Sequence, residues 1–330
     1  MPRSSEPNPL GNHARDYLAL LESLGRVIRS TRSVFKLFAA WLAEHGVRDV
    51  REITPALLET WRVETAARNH PRTLEQKVQR IRRFFLHLFT RGVLAADPAA
   101  LLPHRRVPRM DPFVFTLEEV RRLLTEGVAA IEVPFFRLTA YTFFHLLYAT
   151  GMRRSEALQL KVQDLDLETR TLHILRTKFH KERMIPFGNR ALENLKTYLR
   201  ARCERHGMLR AADPVFVSPW HRRPPPGPMD PSVAWHLFHR MLRAVGLRIA
   251  GGRQAGTAES PRIHSLRASF AVHRLLKWYR EGADLTHKIF LLSTYMGHRG
   301  PDETAVYLRA TEALLTEAKE LLGRYLLPVR

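Results

Sequence analysis

A proline- and arginine-rich stretch near the end of the first third divides this chain and limits what it can fold into. Ala96-Asp97-Pro98 is followed by Pro103-His104-Arg105-Arg106-Val107-Pro108-Arg109-Met110-Asp111-Pro112. Proline has no amide proton, and it pushes the residue before it out of helical geometry, so this run reads as an extended connection. The 330 residues then divide into a tail (1–13), a helical unit (14–100), a linker (101–113) and a larger domain (114–330).

Before the linker, apolar residues recur at helical spacing. Tyr17–Leu24 is one segment. Val34, Leu37, Phe38, Trp41 and Leu42 form a second, opened by Ser30/Thr31 and closed by Gly46. Thr54-Pro55 supplies a cap and a first-turn proline for a third, through Leu57, Leu58 and Trp61. Thr73 opens a fourth, bearing Leu74, Val78, Ile81, Phe85 and Leu88, and Gly92 stops it. This last helix carries Lys77, Arg80, Arg82 and Arg83 off its apolar stripe. With Arg105 and Arg106 of the linker they are candidate phosphate contacts, although a solvated helix face explains such residues equally well.

After the linker, Thr116-Leu-Glu-Glu119 reads as a capping box that opens the helices of 116–160. Three short strands follow at Val162–Leu167, Thr171–Thr177 and Arg183–Phe187, with turns at Glu168–Arg170 and Lys178–Lys181. Two loops, Trp220–Pro231 and Gly251–Ser260, come before helices at 232–245, 264–280, 284–296, 301–309 and 311–324. The expected fold is mainly α with a small three-stranded antiparallel β-sheet, in two domains able to close on a duplex as a clamp.

Net charge of +21 suits a polyanionic partner, nucleic acid first and an anionic membrane surface second. One cysteine, Cys203, rules out an intramolecular disulfide and a thiolate zinc cluster. The N-terminus lacks the apolar core of a signal peptide, and stretches such as Phe143–Ala149 are too short to cross a bilayer. A soluble protein of a reducing compartment, the bacterial cytoplasm, is expected, with no membrane contact.

Four segments carry candidate chemistry. They are Ala149-Thr-Gly-Met-Arg153-Arg-Ser-Glu156, Arg176-Thr-Lys178-Phe-His-Lys181-Glu-Arg183, His264-Ser-Leu-Arg267, and Gly297-His298 with Tyr307 nine residues on. Each alone is ordinary: arginines are mostly surface residues here, and a tyrosine after Ala-Val is usually half-buried core. Their shared electrostatic logic is what lifts them. A phosphodiester under attack gains a second negative charge, and arginine forks match its non-bridging oxygens. Tyrosine, with a pKa of about 10, needs a base or a stabilised phenolate before it attacks. His264 is placed to be that base, and a lysine at the hairpin tip to protonate the leaving 5′ oxygen.

Over nearly its whole length the chain resembles the tyrosine recombinase, or phage integrase, family. That family's Thr-Gly-Leu-Arg-x-Ser-Glu motif falls on Arg153, with its supporting acid on Glu156. Its hairpin lysine, usually in Gly-Lys-Gly-x-Lys-x-Arg, falls on Lys178, its His-x-x-Arg on His264 and Arg267, its Gly-His on His298, and its nucleophile on Tyr307. The resemblance implies a core-binding domain and a catalytic domain, a 3′-phosphotyrosyl intermediate, no metal or other cofactor, and double-stranded DNA at a specific site as partner. It also implies a homotetramer on DNA that is a monomer or weak oligomer when free, with possible accessory proteins.

Phe179 and His180 replace the family's hairpin glycine and small polar residue, which makes Lys181 a rival for the acid. Ala268 stands where the family often has His, and the segment from Trp278 to His298 looks more like transposon-borne or integron-like members. Tyr295, three residues before His298, reads as structural. His236 and His239 share a helix face but read as surface residues more readily than as metal ligands. A type IB topoisomerase and a catalytically silent DNA-binding accessory protein are the alternatives. The apolar stripe Leu314, Leu315, Ala318, Leu321 and Leu322 would pack on its own domain or dock on a neighbouring copy.

Overall fold

The computed structural model describes residues 9–103, 112–175, 182–218, 220, 226–247, 260–298, 300, 303–310 and 316. The chain divides into two compact units, Met1–Arg109 and Met110–Arg330. The first contains helices α1 (Gly11–Ser23), α2 (Arg29–Glu44), α3 (Pro55–Arg68) and α4 (Pro71–Thr90). Its core is aromatic: Phe38, Phe84 and Phe85 are almost completely enclosed, with Trp61 edge-on to Phe38 at 5.0 Å. Truncating one such ring costs about 3–5 kcal/mol in a typical core. Thr54 caps α3 by accepting from the Leu57 amide at 3.2 Å. The fourth helix begins at Pro71, two residues before the expected Thr73, because His70 accepts from the Arg72 amide and Pro71 is pre-set for the first turn.

In the second unit Thr116 and Glu119 form the expected capping box at the start of α5 (Leu117–Arg122), which runs into a π-helical turn, Leu123–Gly127. The central helix is α6 (Pro134–Thr150). It is buried on most sides because Phe143, Phe144, Leu146 and Leu147 leave it no polar face. A short α7 (Arg154–Gln159) leads to the sheet, in which β1 (Leu165–Asp166), β2 (Thr171–Ile174) and β3 (Arg183–Pro186) pair antiparallel in sequence order. The register sets Leu172 against Ile185 and Ile174 against Arg183. The first strand is shorter than expected. Val162–Asp164 is a 3-10 turn, since the Asp164 carboxylate accepts from the Lys161 amide at 2.9 Å and holds the chain locally.

Helix α8 (Asn189–His206) was not among the expected elements. Its apolar stripe of Ala191, Leu195, Tyr198 and Leu199 is narrow, and its other faces are charged. It packs on α6, as do α9 (Pro231–Ala244) and α10 (Ile263–Arg280). Then come α11 (Leu285–Met296) and a helical stretch at 303–310, which we call α12. The expected turn Lys178–Lys181, much of the two loops and the helix 311–324 fall largely outside the described residues, as do Arg105 and Arg106. Among the described residues no helix is long and apolar enough to cross a membrane.

Candidate active site

The site is built where helices end. Gly151 closes α6 with φ of +61°, a left-handed conformation that side chains other than glycine resist. A Cβ added there would lie 2.3 Å from Cδ1 of Phe270, so the turn is tied sterically to α10. Two residues on, Arg153 sits at the N-cap of α7. Its amide donates to Glu156 Oε2 at 2.8 Å, its Nη1 to Oε1 at 2.9 Å, and its Nη2 to the Gly297 carbonyl at 2.7 Å.

Gly297 closes α11 with φ of +66°, and this second left-handed turn delivers His298. The ring Nδ1 of His298 lies 2.6 Å from Thr304 Oγ1 on α12, which fixes the ring and leaves Nε2 as the nitrogen not engaged by that bond. Burial first, then the charges of Arg267 and Arg153, push this imidazole down to about 3, so it is neutral at physiological pH.

Arg267 lies on α10 with 2 % of its surface exposed. It donates from Nη1 to the Gly151 carbonyl at 2.6 Å and from Nη2 to the Met296 carbonyl at 2.8 Å. A single side chain thus joins both left-handed turns. Burial and then Arg153 push its pKa down to about 10, which still leaves it cationic at neutral pH.

Tyr307 on α12 is 5 % exposed, with its ring 6.1 Å from that of His298. Burial raises its phenol above the ordinary value, opposed by the charge and hydrogen bond of Arg267 and by Arg153. His264 stands in the first turn of α10. Although its side chain stays open to solvent, surrounding protein and then Arg267, Arg153 and Arg154 hold its imidazole below the usual histidine value.

Five of the six expected catalytic positions, with Glu156, are therefore gathered from α7, α10, the end of α11 and α12. Lys178, like its rival Lys181, lies outside the described residues. Tyr295 turns its hydroxyl to the Pro186 carbonyl at 3.3 Å and stacks on Phe270. His236 and His239 both lean on Trp235, with ring centroids 4.9 and 3.6 Å away.

Arg183 is the residue the sequence reading passed over. By sequence it reads only as the first residue of a strand. Its guanidinium donates from Nη2 to Glu156 Oε2 at 2.7 Å and from Nη1 to Oε1 at 3.1 Å. Its Nε donates to the Tyr295 carbonyl at 3.0 Å. Two signals were available: the Arg that ends the Gly-Lys-Gly-x-Lys-x-Arg motif falls on Arg183, and Arg183 has the same alternation phase as the buried Ile185, an unusual phase for a cation.

The α4 candidates behave differently. Lys77 donates to Asn69 at 2.9 Å, Arg80 to Ser30 at 3.2 Å, and Arg82 to the Leu102 carbonyl at 3.2 Å. Arg83 is the exposed member of that set.

Cations with fixed donors, two imidazoles held neutral and a phenol, all on a mainly helical scaffold, define a site suited to a phosphate ester under attack. Comparison with known proteins agrees with that class. Residues 114–313 match the model of the phage integrase family. A Sinorhizobium fredii protein named as an integrase/recombinase, y4rB, is 31% identical over 94% of this chain and 96% of its own length. Tyrosine recombinase XerC of Corynebacterium efficiens is 30% identical over 92% of this chain and 87% of its own. The fold matches that of a XerH site-specific recombinase bound to difH substrate, with TM-score 0.63 and 18% identity over 88% of this chain and 78% of that one. It also matches the Tn1549 transposon integrase in complex with circular intermediate DNA, with TM-score 0.63 and 15% identity over 89% and 94%. The chain belongs to the phage integrase family, that of the tyrosine recombinases.

Proposed function

We propose that this protein is a site-specific DNA recombinase that cleaves and rejoins strands through a 3′-phosphotyrosyl link to Tyr307. The observation that carries this reading is the convergence of Arg153, Arg267, His298 and Tyr307 around two helix-ending turns. The scissile phosphate docks between the two guanidiniums, which meet its non-bridging oxygens and the charge that grows on them during attack. His298 donates a further hydrogen bond from Nε2, for which its Nδ1 must accept from the Thr304 hydroxyl. His264, neutral at physiological pH, accepts the phenol proton as Tyr307 oxygen bonds to phosphorus. The P–O5′ bond breaks, and Lys178, with Lys181 as its rival, protonates the departing 5′ oxygen. The second step reverses these transfers, with a 5′-hydroxyl from another strand as the nucleophile. Glu156 supports Arg153 without touching substrate. The phosphate also lifts both imidazoles toward their ordinary pKa, since its charge opposes that of the arginines.

On this reading the first unit is a core-binding domain (14–100), joined by a linker (101–113) to the catalytic domain (114–330). The partner is double-stranded DNA, engaged by four copies that are monomeric or weakly associated when free. The setting is the cytoplasm of a bacterium, at the nucleoid when DNA is bound. The biological task is integration, excision or transposition of a mobile element, supported by the character of the Trp278–His298 segment.

The test is covalent capture on nicked suicide duplexes tiled across the DNA flanking the protein's own gene. Wild type should form an adduct at a defined phosphate, and Tyr307→Phe should form none. Capture that survives Tyr307→Phe would move the nucleophile elsewhere. Relaxation of supercoils without site dependence would favour a topoisomerase, and no adduct on any duplex a silent DNA-binding protein.

A further inference from the structure

Glu156 is shared by two arginines. Oε1 accepts from Arg153 Nη1 at 2.9 Å and Arg183 Nη1 at 3.1 Å, while Oε2 accepts from the Arg153 amide at 2.8 Å and Arg183 Nη2 at 2.7 Å. A carboxylate has about four lone-pair sites, and all are filled. The Glu156 side chain is 7% exposed and that of Arg183 10%, so water competes weakly for these bonds.

The third donor of Arg183, Nε, reaches the Tyr295 carbonyl at 3.0 Å, within the last turn of α11. The plane of its guanidinium lies against the glycine turn itself. A Cβ on Gly297 would come within 2.8 Å of Arg183 Nη1. Arg183 also opens β3 opposite Ile174, two residues after Lys181 in the sequence. One guanidinium therefore touches the acid that holds Arg153 and the turn that delivers His298, from the strand that begins just after the lysines.

Charge shows what its removal would do. Two arginines and one carboxylate leave a net +1, and Arg153 keeps one Nη1 bond to Glu156 while Nη2 serves Gly297. Without Arg183 the freed carboxylate oxygens would draw Arg153 into a two-pronged pair, the arrangement that guanidinium and carboxylate favour. Arg153 would then turn from Gly297, and its charge would be cancelled where the phosphate needs it.

We infer that Arg183 is a positioning residue for strand cleavage: it occupies Glu156 so that Arg153 stays available to the phosphate, and it braces the turn carrying His298. The inference rests on the recombinase reading above and deepens it.

The experiment combines two readouts on the full chain. Adduct formation is timed on the suicide duplexes at saturating DNA, for wild type, Arg183→Gln, Arg183→Lys, Glu156→Gln and the Arg183→Gln/Glu156→Gln pair. Amide hydrogen exchange is followed over 295–298 in the same proteins without DNA. Arg183→Gln should slow the adduct 10- to 100-fold while DNA affinity stays within threefold. Arg183→Lys should rescue it only in part, because an ammonium lacks the fork. Adding Glu156→Gln should slow it no further, or restore part of the rate, since the competing charge is gone. Exchange at Gly297 and His298 should quicken in both Arg183 variants.

An Arg183→Gln rate equal to wild type, or single effects that multiply in the pair, would overturn the inference. If Arg183→Gln fails to fold, Arg183→Lys decides it: a wild-type rate with wild-type exchange overturns it. If wild type forms no adduct on any duplex, the recombinase reading fails by itself. Exchange then judges the brace: unchanged protection at Gly297 and His298 overturns it too.

Discussion

The basic face of α4 and the arginine cluster of the second unit use the same residue type in opposite ways. On α4, Lys77, Arg80 and Arg82 direct donors onto their own unit, to Asn69, Ser30 and the Leu102 carbonyl, at its partly exposed surface. In the site, Arg267 and Arg183 are almost enclosed, and their bonds end on turn carbonyls and one carboxylate. A surface cation adds to the general attraction for a polyanion and is screened by salt within about 8–10 Å. An enclosed cation with its donors already aimed has lost its rotational freedom before substrate arrives. Charge count locates a partner, whereas the acceptor of each guanidinium locates the chemistry.

The strongest way to break this contrast is to remove the enclosed cation. Arg267→Ala should slow covalent capture by about 10²–10³, the usual cost of one preorganised donor to a developing oxyanion. It should also weaken folding, because the Gly151 and Met296 carbonyls lose their shared donor. Single-turnover capture at saturating DNA separates the two, since unfolded protein lowers the amplitude and not the rate. A rate within threefold of wild type would mean that the enclosed arginine is architectural.

Acid sharpens the contrast next. Cations enclosed beside imidazoles carry a titratable cost. His298 is pushed down to about 3, against an ordinary value near 6.5, so the unfolded chain takes up its proton first. Its contribution to stability is complete above about pH 6.5 and is lost as pH falls toward 3. At pH 5 the loss reaches about 2 kcal/mol at most, a fall in Tm of several degrees for a domain of this size. Glu156, held below the usual carboxylate value mainly by Arg183 and Arg153 against the pull of burial, adds a further loss below its ordinary pKa. Thermal melts between pH 7 and 5 should show the slope, and His298→Asn should flatten it. An equal slope in that variant would mean that His298 is not held neutral.

How much of this was legible follows from the kind of order each feature has. The caps at Thr54 and Thr116 and the glycine stops were readable because a cap is a local event within four residues. The grouping of Arg153, Glu156, His264, Arg267, His298 and Tyr307 was suggested by motif order, since spacing alone gives no distance between α7 and α10. Helix α8 was missed because its stripe is narrow against a charged background. The motif placed an arginine at 183, but its role was hidden because its acceptors lie 27 and 112 residues away, at Glu156 and Tyr295. The acceptors of the α4 face were hidden for the same reason: Ser30, the acceptor of Arg80, is 50 residues distant.

Those internal bonds set the smallest expected effect. If four cations of α4 all met phosphates, each substitution to alanine would reduce the salt slope of DNA affinity by about 1. The bonds of Lys77, Arg80 and Arg82 argue otherwise, because binding DNA through them means giving up Asn69, Ser30 or Leu102 in exchange. Arg83 gives up less. It is exposed, and its charge opposes the effect of burial on the Tyr17 phenol and repels that of Arg80. Arg83→Ala should therefore lower affinity by a few-fold and the slope by about 1, whereas Lys77→Ala should leave the slope nearly unchanged. Fluorescence anisotropy on one duplex from about 50 to about 300 mM salt, where several phosphate contacts weaken binding by orders of magnitude, measures both. Equal slope changes for the two would show that α4 turns its whole basic face to DNA and that its internal bonds are only how the face rests without a ligand.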